Sequence, residues 1–362
     1  MAALIPTLEF AQQDWEELVG NWEAWGAGEL ERPLVMVSSP VRSRAREELT
    51  LEFVQHRQVD QVLDYYQDRF ERTRLGGDSG PKWFPFLGAG VAAAFLGAEL
   101  FCAPEEGTIW FEPSRPLDSF DLEGLFDPDN MWWQRVRQLT QAAIDRWGDR
   151  ICVGITDLGG NLDILASLRG SQQLLVDMLD CPDEVEAATQ QITGLWLRYY
   201  TGLHEIIQRN GRGTTPWAPI WSPGRCYMLQ SDFSAMISPK MFERFVLPDL
   251  TTCCQALDFS FYHMDGKGQI PHLEMLLSIE SLHGVQWIPG DGQPPPQVWL
   301  PLLARVRRSG KLCQLFVSTA GALEIVRELG GKGFAFAIIE SLNDEEVKAF
   351  LKEVETASRL GR

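Results

Sequence analysis

The feature that most constrains this chain is an alternation. Short apolar runs rich in Val, Ile and Phe are separated by longer amphipathic stretches, the pattern of strand–helix units that build a parallel sheet. Eight runs read as strands, over residues 33–38, 82–86, 150–156, 215–221, 258–263, 284–288, 311–317 and 333–339. Helix signals fall between them. Ser238-Pro239 is an N-cap followed by Pro at the first helical position, and it opens a helix over 240–256. Cys181-Pro182-Asp183-Glu184 opens a long helix that Asn210-Gly211 stops. Another lies within 127–148, and Asn343 caps a last one to about Glu355. Eight such units in 362 residues predict one closed (β/α)8 TIM barrel over 33–362. The rival, an open doubly wound sheet, would carry a Gly-rich GxGxxG turn after a strand, and none follows. Residues 103–118 read as a small inserted β-hairpin. Residues 1–32 read as an acidic helical N-terminal extension outside the barrel, carrying Trp15, Trp22 and Trp25.

Charge narrows the function classes. Lys and Arg number 32 against 50 Asp and Glu, a net charge of −18. A nucleic-acid binder presents a basic face, so this excess argues against a nucleic-acid partner. The first basic residue is Arg32, so a secretory leader would lack its basic start. No run approaches the ~18 apolar residues of a membrane span. The cysteines (102, 152, 181, 226, 253, 254, 313) are odd in number and contain no CxxC pair, which reads as reduced thiols. The expectation is a cytoplasmic protein that acts on a small molecule, with no membrane partner and a homodimer as an option.

In a barrel the chemistry sits at the C-terminal ends of the strands. The residues expected there are Asp157, Trp221, Cys226, His263, Asp265, Trp287, Ser318 and Glu340. In Phe259-Ser-Phe-Tyr-His-Met-Asp265, positions 259, 261, 263 and 265 share one face. His263 and Asp265 should therefore emerge together above two inward phenylalanines. Glu340 follows Phe334, Phe336 and Ile338, read as a second inward set. A His, an Asp and a Glu converging on one rim suit a divalent metal or acid–base work. A hydrogen-bonded His–Asp pair capping a buried layer is the alternative. Trp83, Trp217, Trp221 and Trp287 are candidate walls of an apolar ligand site. Arg42, Arg44 and Arg46 could hold a carboxylate or phosphate, or simply form a solvated helix start.

Three segments resemble the uroporphyrinogen decarboxylase superfamily, which includes the cobalamin-dependent methyltransferases. They are 157–170 with its continuation 174–185, then 232–248, and Tyr262-His263-Met-Asp-Gly266, where the methyltransferases carry His-x-Cys-Gly. With the strand order, the likeness runs from about residue 30 to 355. It implies a (β/α)8 barrel with its cleft at the C-terminal rim. The departures matter. The tract 40–46 is not the decarboxylases' Arg-rich motif, and 83–88 lacks their strand-2 Asp. The zinc methyltransferases' first Cys position holds Asp265, and the distal one falls on Glu340 or Ser341. The resemblance therefore implies a divalent metal, zinc in those relatives, on the harder ligands His263, Asp265 and Glu340.

The function expected is a corrinoid-linked methyltransferase. It would move a methyl group between a small substrate and methylcobalamin carried by a partner corrinoid protein. His263, Asp265, Asp157 and Glu340 would do the chemistry. Trp83, Trp217, Trp221, Cys226, Tyr262, Trp287, Ser318 and Arg42 would line the substrate. The alternatives are a carboxy-lyase acting on a different carboxylic acid, and a non-catalytic corrinoid or tetrapyrrole binder.

Overall fold

The computed structural model describes residues 4–40, 56–103, 108–115, 117, 120 and 122–360. Its strands are β1 (Ile5–Pro6), β2 (Leu34–Pro40), β3 (Thr73–Gly77), β4 (Lys82–Trp83), β5 (Glu99–Ala103), β6 (Thr108–Glu112), β7 (Cys152–Val153), β8 (Cys226–Gln230), β9 (Phe259–Asp265), β10 (Gly284–Ile288), β11 (Leu312–Val317) and β12 (Phe334–Ile338). The main sheet runs β1-β3-β2-β12-β11-β10-β9-β8. Every pairing from β8 across to β2 is parallel, and β3 and β1 extend the edge antiparallel. β4 and β7 form a separate parallel pair, and β5–β6 form the inserted hairpin. The fold is α/β around a large parallel sheet. Among the described residues no ladder joins β3 to β4 or β7 to β8. None of the described helices is long and apolar enough to cross a membrane.

The parallel strands are apolar on both faces, as a sheet buried on both sides requires. The outer face carries Tyr262, Met264, Val285, Trp287, Leu315 and Phe336 into the core shared with the surrounding helices. The inner face gathers Leu34, Met36, Cys152, Cys226, Met228, Phe259, Phe261, Leu312 and Ala335. Helix Gln12–Gly26 completes that inner core with Trp15, Leu18, Trp22 and Trp25, spaced to share one helical face. The acidic extension is thus acidic only on its outer side. Its tryptophan side is part of the inner core.

Two segments differ from the sequence expectation for physical reasons. Residues 215–221 form a loop pinned by the Thr214–Ser222 bridge, and the strand is β8, Cys226–Gln230. Pro216 and Pro219 have no N–H to give to a ladder, so aromatic and apolar content alone misleads there. The helix expected over 240–256 is two helices, Pro239–Phe245 and Leu247–Gln255. Pro248 removes an amide and crowds the preceding turn. The expected cap does form, with Met241 N donating to Ser238 Oγ at 3.3 Å.

On β12 the expected parity is reversed. Phe334, Phe336 and Ile338 face the helices, while Ala335 and Ala337 belong to the inner side. These small residues share the inner core with the bulky Phe259 and Phe261.

Candidate functional site

The register of four strands builds one polar layer above the apolar inner core. Gln230 on β8 is level with His263 on β9, His263 with Gln286 on β10, and Gln286 with Gln314 on β11. The side chains join into a chain. Gln314 Nε2 donates to the Leu315 carbonyl at 3.0 Å. That leaves Gln314 Oε1 to accept from Gln286 Nε2, and Gln286 Oε1 to meet His263 Nδ1. An amide oxygen only accepts, so Nδ1 carries a proton, and in the neutral ring Nε2 is the nitrogen with the lone pair. A backbone carbonyl three side chains away thus sets the tautomer of His263.

His263 Nε2 lies 4.0 Å from Asp265 Oδ2, one strand period further on. Asp232, two residues past the end of β8, completes a group in which each side chain offers one ligand atom and all lie within 4.8 Å of one another. Asp232 is held by Asp163, whose carboxylate accepts the backbone N–H groups of Asp232 at 3.0 Å and Phe233 at 2.7 Å. Surrounding protein raises the Asp232 carboxyl above the usual range. His263 opposes that shift, and the charge of Asp265 adds to it. Trp217 sets its ring edge against His263, with centroids 5.1 Å apart, and its Nε1 donates to the Met228 carbonyl at 3.2 Å.

Asp157 lies beyond β7 and is buried, accepting from Gly159 N at 3.0 Å and Gly90 N at 3.4 Å. Burial pushes its carboxyl up to about 7 against those two donors, and the charges of Asp232 and Asp163 add to the rise. Asp157 therefore sits within the electrostatic reach of the group.

Other expected site residues lie elsewhere. Glu340 accepts from Thr319 N at 2.8 Å and Thr319 Oγ1 at 3.3 Å, at the start of helix Thr319–Leu329. A carboxylate there satisfies a free helix amide and the helix dipole. Ser318 caps the same helix through Gly321 N at 3.0 Å. Tyr262 and Trp287 point outward: the Tyr262 hydroxyl donates to Gln269 at 2.8 Å, and Trp287 packs edge-on against Trp299 at 5.2 Å. Both have the opposite parity to His263. Trp83 is wedged between Tyr66 and Trp147 at 5.4 and 5.3 Å. Cys226 begins β8, buried in the inner core, so it lies at the opposite end of the strand from Gln230. Trp221 donates to the Arg212 carbonyl at 2.7 Å. Arg42, with Arg44 and Arg46, lies outside the described residues. All seven cysteines are free thiols.

The structure thus unites His263 and Asp265 and adds Asp232, Asp163, Gln286 and Gln314, none of which the sequence reading named as site residues. The signal for Asp232 was present. It stands two residues after a strand end, as Asp265 stands two after His263, but only if β8 is placed correctly.

The fold, as distinct from the site, is shared with solved structures. One is described as a methyltransferase from Methanosarcina mazei, and it superposes with a TM-score of 0.56 over 94% of this chain and 98% of that one. Sequence identity is 16%, so the likeness speaks to the fold alone. No family model and no curated protein matches the chain.

The donor set of one imidazole nitrogen and two carboxylates suits a divalent cation of intermediate hardness. The Asp232 carboxyl is raised first by the protein around it and further by the charge of Asp265, and a cation between the two acids would relieve the second of these.

Proposed function

We propose that this protein is a corrinoid-linked methyltransferase built on a closed (β/α)8 barrel, with a divalent metal on His263, Asp265 and Asp232. The observation that carries the reading is the convergence of those three donors at the C-terminal ends of β8 and β9, where barrel enzymes keep their chemistry. The fold shared with a structure described as a methyltransferase supports the choice of reaction. Asp232 takes the place that the resemblance gave to Glu340.

When bound, the metal would act as a Lewis acid and acidify the thiol or hydroxyl that accepts the methyl group. The chain's own residues prepare that step. Gln286 holds His263 in the tautomer that presents Nε2. Asp163 fixes the backbone that carries Asp232. Trp217 forms an apolar wall beside the ring. Gln230 Oε1 is buried and has no partner among the described residues, so it offers an acceptor level with His263. Asp157, raised to about 7, is poised to exchange a proton near neutral pH. Zinc is the metal expected, and the cobalamin would arrive on a partner protein.

The test is a cobalt(II) titration of chelator-treated protein, read by visible absorption, together with zinc content by mass spectrometry. One metal per chain is expected. His263→Ala should abolish binding at micromolar metal. Gln286→Leu should weaken it by about 10–100-fold through loss of ring orientation. Glu340→Gln should leave metal content unchanged. Methylcobalamin should lose its methyl group to a small thiol in the presence of the metal-loaded protein. Absence of both metal binding and any change in the methylcobalamin spectrum would overturn the reading.

A further inference from the structure

The missing ladder between β3 and β4 leaves a space. A cavity of about 650 Å3 runs along that seam, from Trp15 and Trp22 beneath the sheet to Phe316 and Ile339 at the ends of β11 and β12. Its size is that of a small-molecule site. Its walls are mainly aromatic and aliphatic, with Trp83, Phe84, Phe86 and Trp221 among them. None of Asp232, His263 and Asp265 lines it.

The charges in this cavity oppose those of the chain. The protein as a whole carries −18. Among the described residues, the charged groups lining the cavity are one acid, Asp78, and two strong bases, Arg69 and Lys82. Asp78 is already neutralised, by Arg32 at 2.7 Å, and it also accepts from Asn21 and from Val35 N. Arg69 stands on helix Val59–Arg72 at the exposed margin.

Lys82 is the unusual member. Its side chain is accessible within the cavity although protein surrounds it. Nζ hydrogen-bonds to the Ala218 carbonyl at 3.3 Å, and among the described residues no acid pairs with it. The titratable neighbours are Cys152, opposite it in the β4–β7 register, and Cys226. Burial pushes Cys152 up to about 12 and Cys226 well above its usual value, so neither supplies a thiolate counter-charge. Protein around the ammonium lowers Lys82 to about 8, which keeps it charged at pH 7 and, among the described residues, without a counter-ion in the cavity.

We propose that this cavity binds a monocarboxylate with an apolar body, its carboxylate paired with Lys82 and its body along the aromatic walls. The Ala218 carbonyl takes one of the three ammonium donors, which leaves two for the two oxygens of a carboxylate. A neutral ligand would leave the ammonium unpaired, and a dianion would bring a second charge with no partner at Lys82.

Decanoate is the probe, and quenching of the wall tryptophans is the readout, on metal-free protein at pH 7. The metal-free state separates this test from the metal reading above, because either can fail alone. Saturable binding below about 100 µM is expected. Decanol, with the same body and no charge, should bind at least tenfold more weakly. Lys82→Met should lose tenfold or more for decanoate and keep its affinity for decanol, which also certifies that the cavity is intact. Lys82→Arg should retain decanoate binding. In the wild type, affinity should fall as pH rises through about 8, and Lys82→Arg should remove that fall. Equal affinity of wild type and Lys82→Met for decanoate, or no saturable binding by the wild type, overturns the proposal.

Discussion

Replacing Trp25 with alanine is expected to lower the unfolding free energy by about 3–5 kcal/mol, the range for deleting a fully buried large aromatic side chain. Trp25 is 0% exposed although it belongs to a segment whose composition reads as acidic and solvated. Its ring stacks on Phe261 with centroids 5.8 Å apart, and it meets Phe259 at 6.0 Å and Trp22 at 5.5 Å edge-on. Phe259 and Phe261 are the inward residues beneath His263 on β9. Truncation would therefore open a void under the candidate site, and the close-packed wall could collapse only in part. Trp25 Nε1 has no partner among the described residues, so no hydrogen bond is lost. Trp25→Phe should accordingly recover more than half of the loss. Urea unfolding with a constant m-value would measure it. Glu23→Ala, on the exposed face of the same helix, should stay within about 0.5 kcal/mol of wild type. If Trp25→Ala cost less than about 1 kcal/mol, the helix would not be the packed base of the inner core.

Why that helix looks detachable from the sequence is instructive. Composition averages the two faces, and seven acids before Arg32 outweigh three tryptophans in any count. The spacing of Trp15, Leu18, Trp22 and Trp25 carried the opposite message. The strands β9 to β12 were legible because each is a short apolar run bounded by helix caps and glycines. The strand β8 was not. Cys-Tyr-Met-Leu-Gln has no alternation to mark it, and the Trp- and Pro-bearing loop before it imitates a strand. That displacement propagated into the site. With the strand assigned to 215–221, Asp232 falls in the middle of a connection, whereas after β8 it falls at the rim. The period of two on β9 was enough to pair His263 with Asp265. On β12 the parity failed because both sides of the strand are apolar, so nothing in the sequence distinguishes Phe336 from Ala337 as the inner residue. Gln286 and Gln314 were invisible for another reason. A single glutamine within an apolar run carries no signal until its neighbours in register are known.

Stability is expected to fall as pH rises from about 4 to about 7, and Asp249→Asn should remove a large part of that fall. Asp249 is buried on helix Leu247–Gln255, and burial pushes its carboxyl up to about 7 against hydrogen bonds from Thr193, Asn161 and Cys253. The Thr193 hydroxyl is 2.9 Å from the Thr189 carbonyl and 2.5 Å from Asp249 Oδ1. Asn161 and Cys253 donate to the same Oδ1, and burial outweighs all of these donors. The sign follows from linkage. Unfolded, the group titrates near 3.9, so below that pH both states hold the proton and its full contribution to stability is present. Between about 4 and 7 the unfolded chain releases the proton and the folded chain keeps it. That contribution is therefore lost, and above about 7 the loss is constant. A rise of about three pH units corresponds to about 4 kcal/mol. Asp157 and Asp163, both raised to about 7, act in the same direction. Asp177, lowered by its bond with Arg169, acts the other way, contributing stability that is lost only as pH falls toward acid. The difference in unfolding free energy between Asp249→Asn and wild type isolates one group from this sum. It should rise by about 4 kcal/mol in favour of the variant from pH 4 to pH 8, whatever its value at pH 4. A difference that stays flat within about 0.5 kcal/mol across that range would mean that Asp249 is ionised in the folded protein.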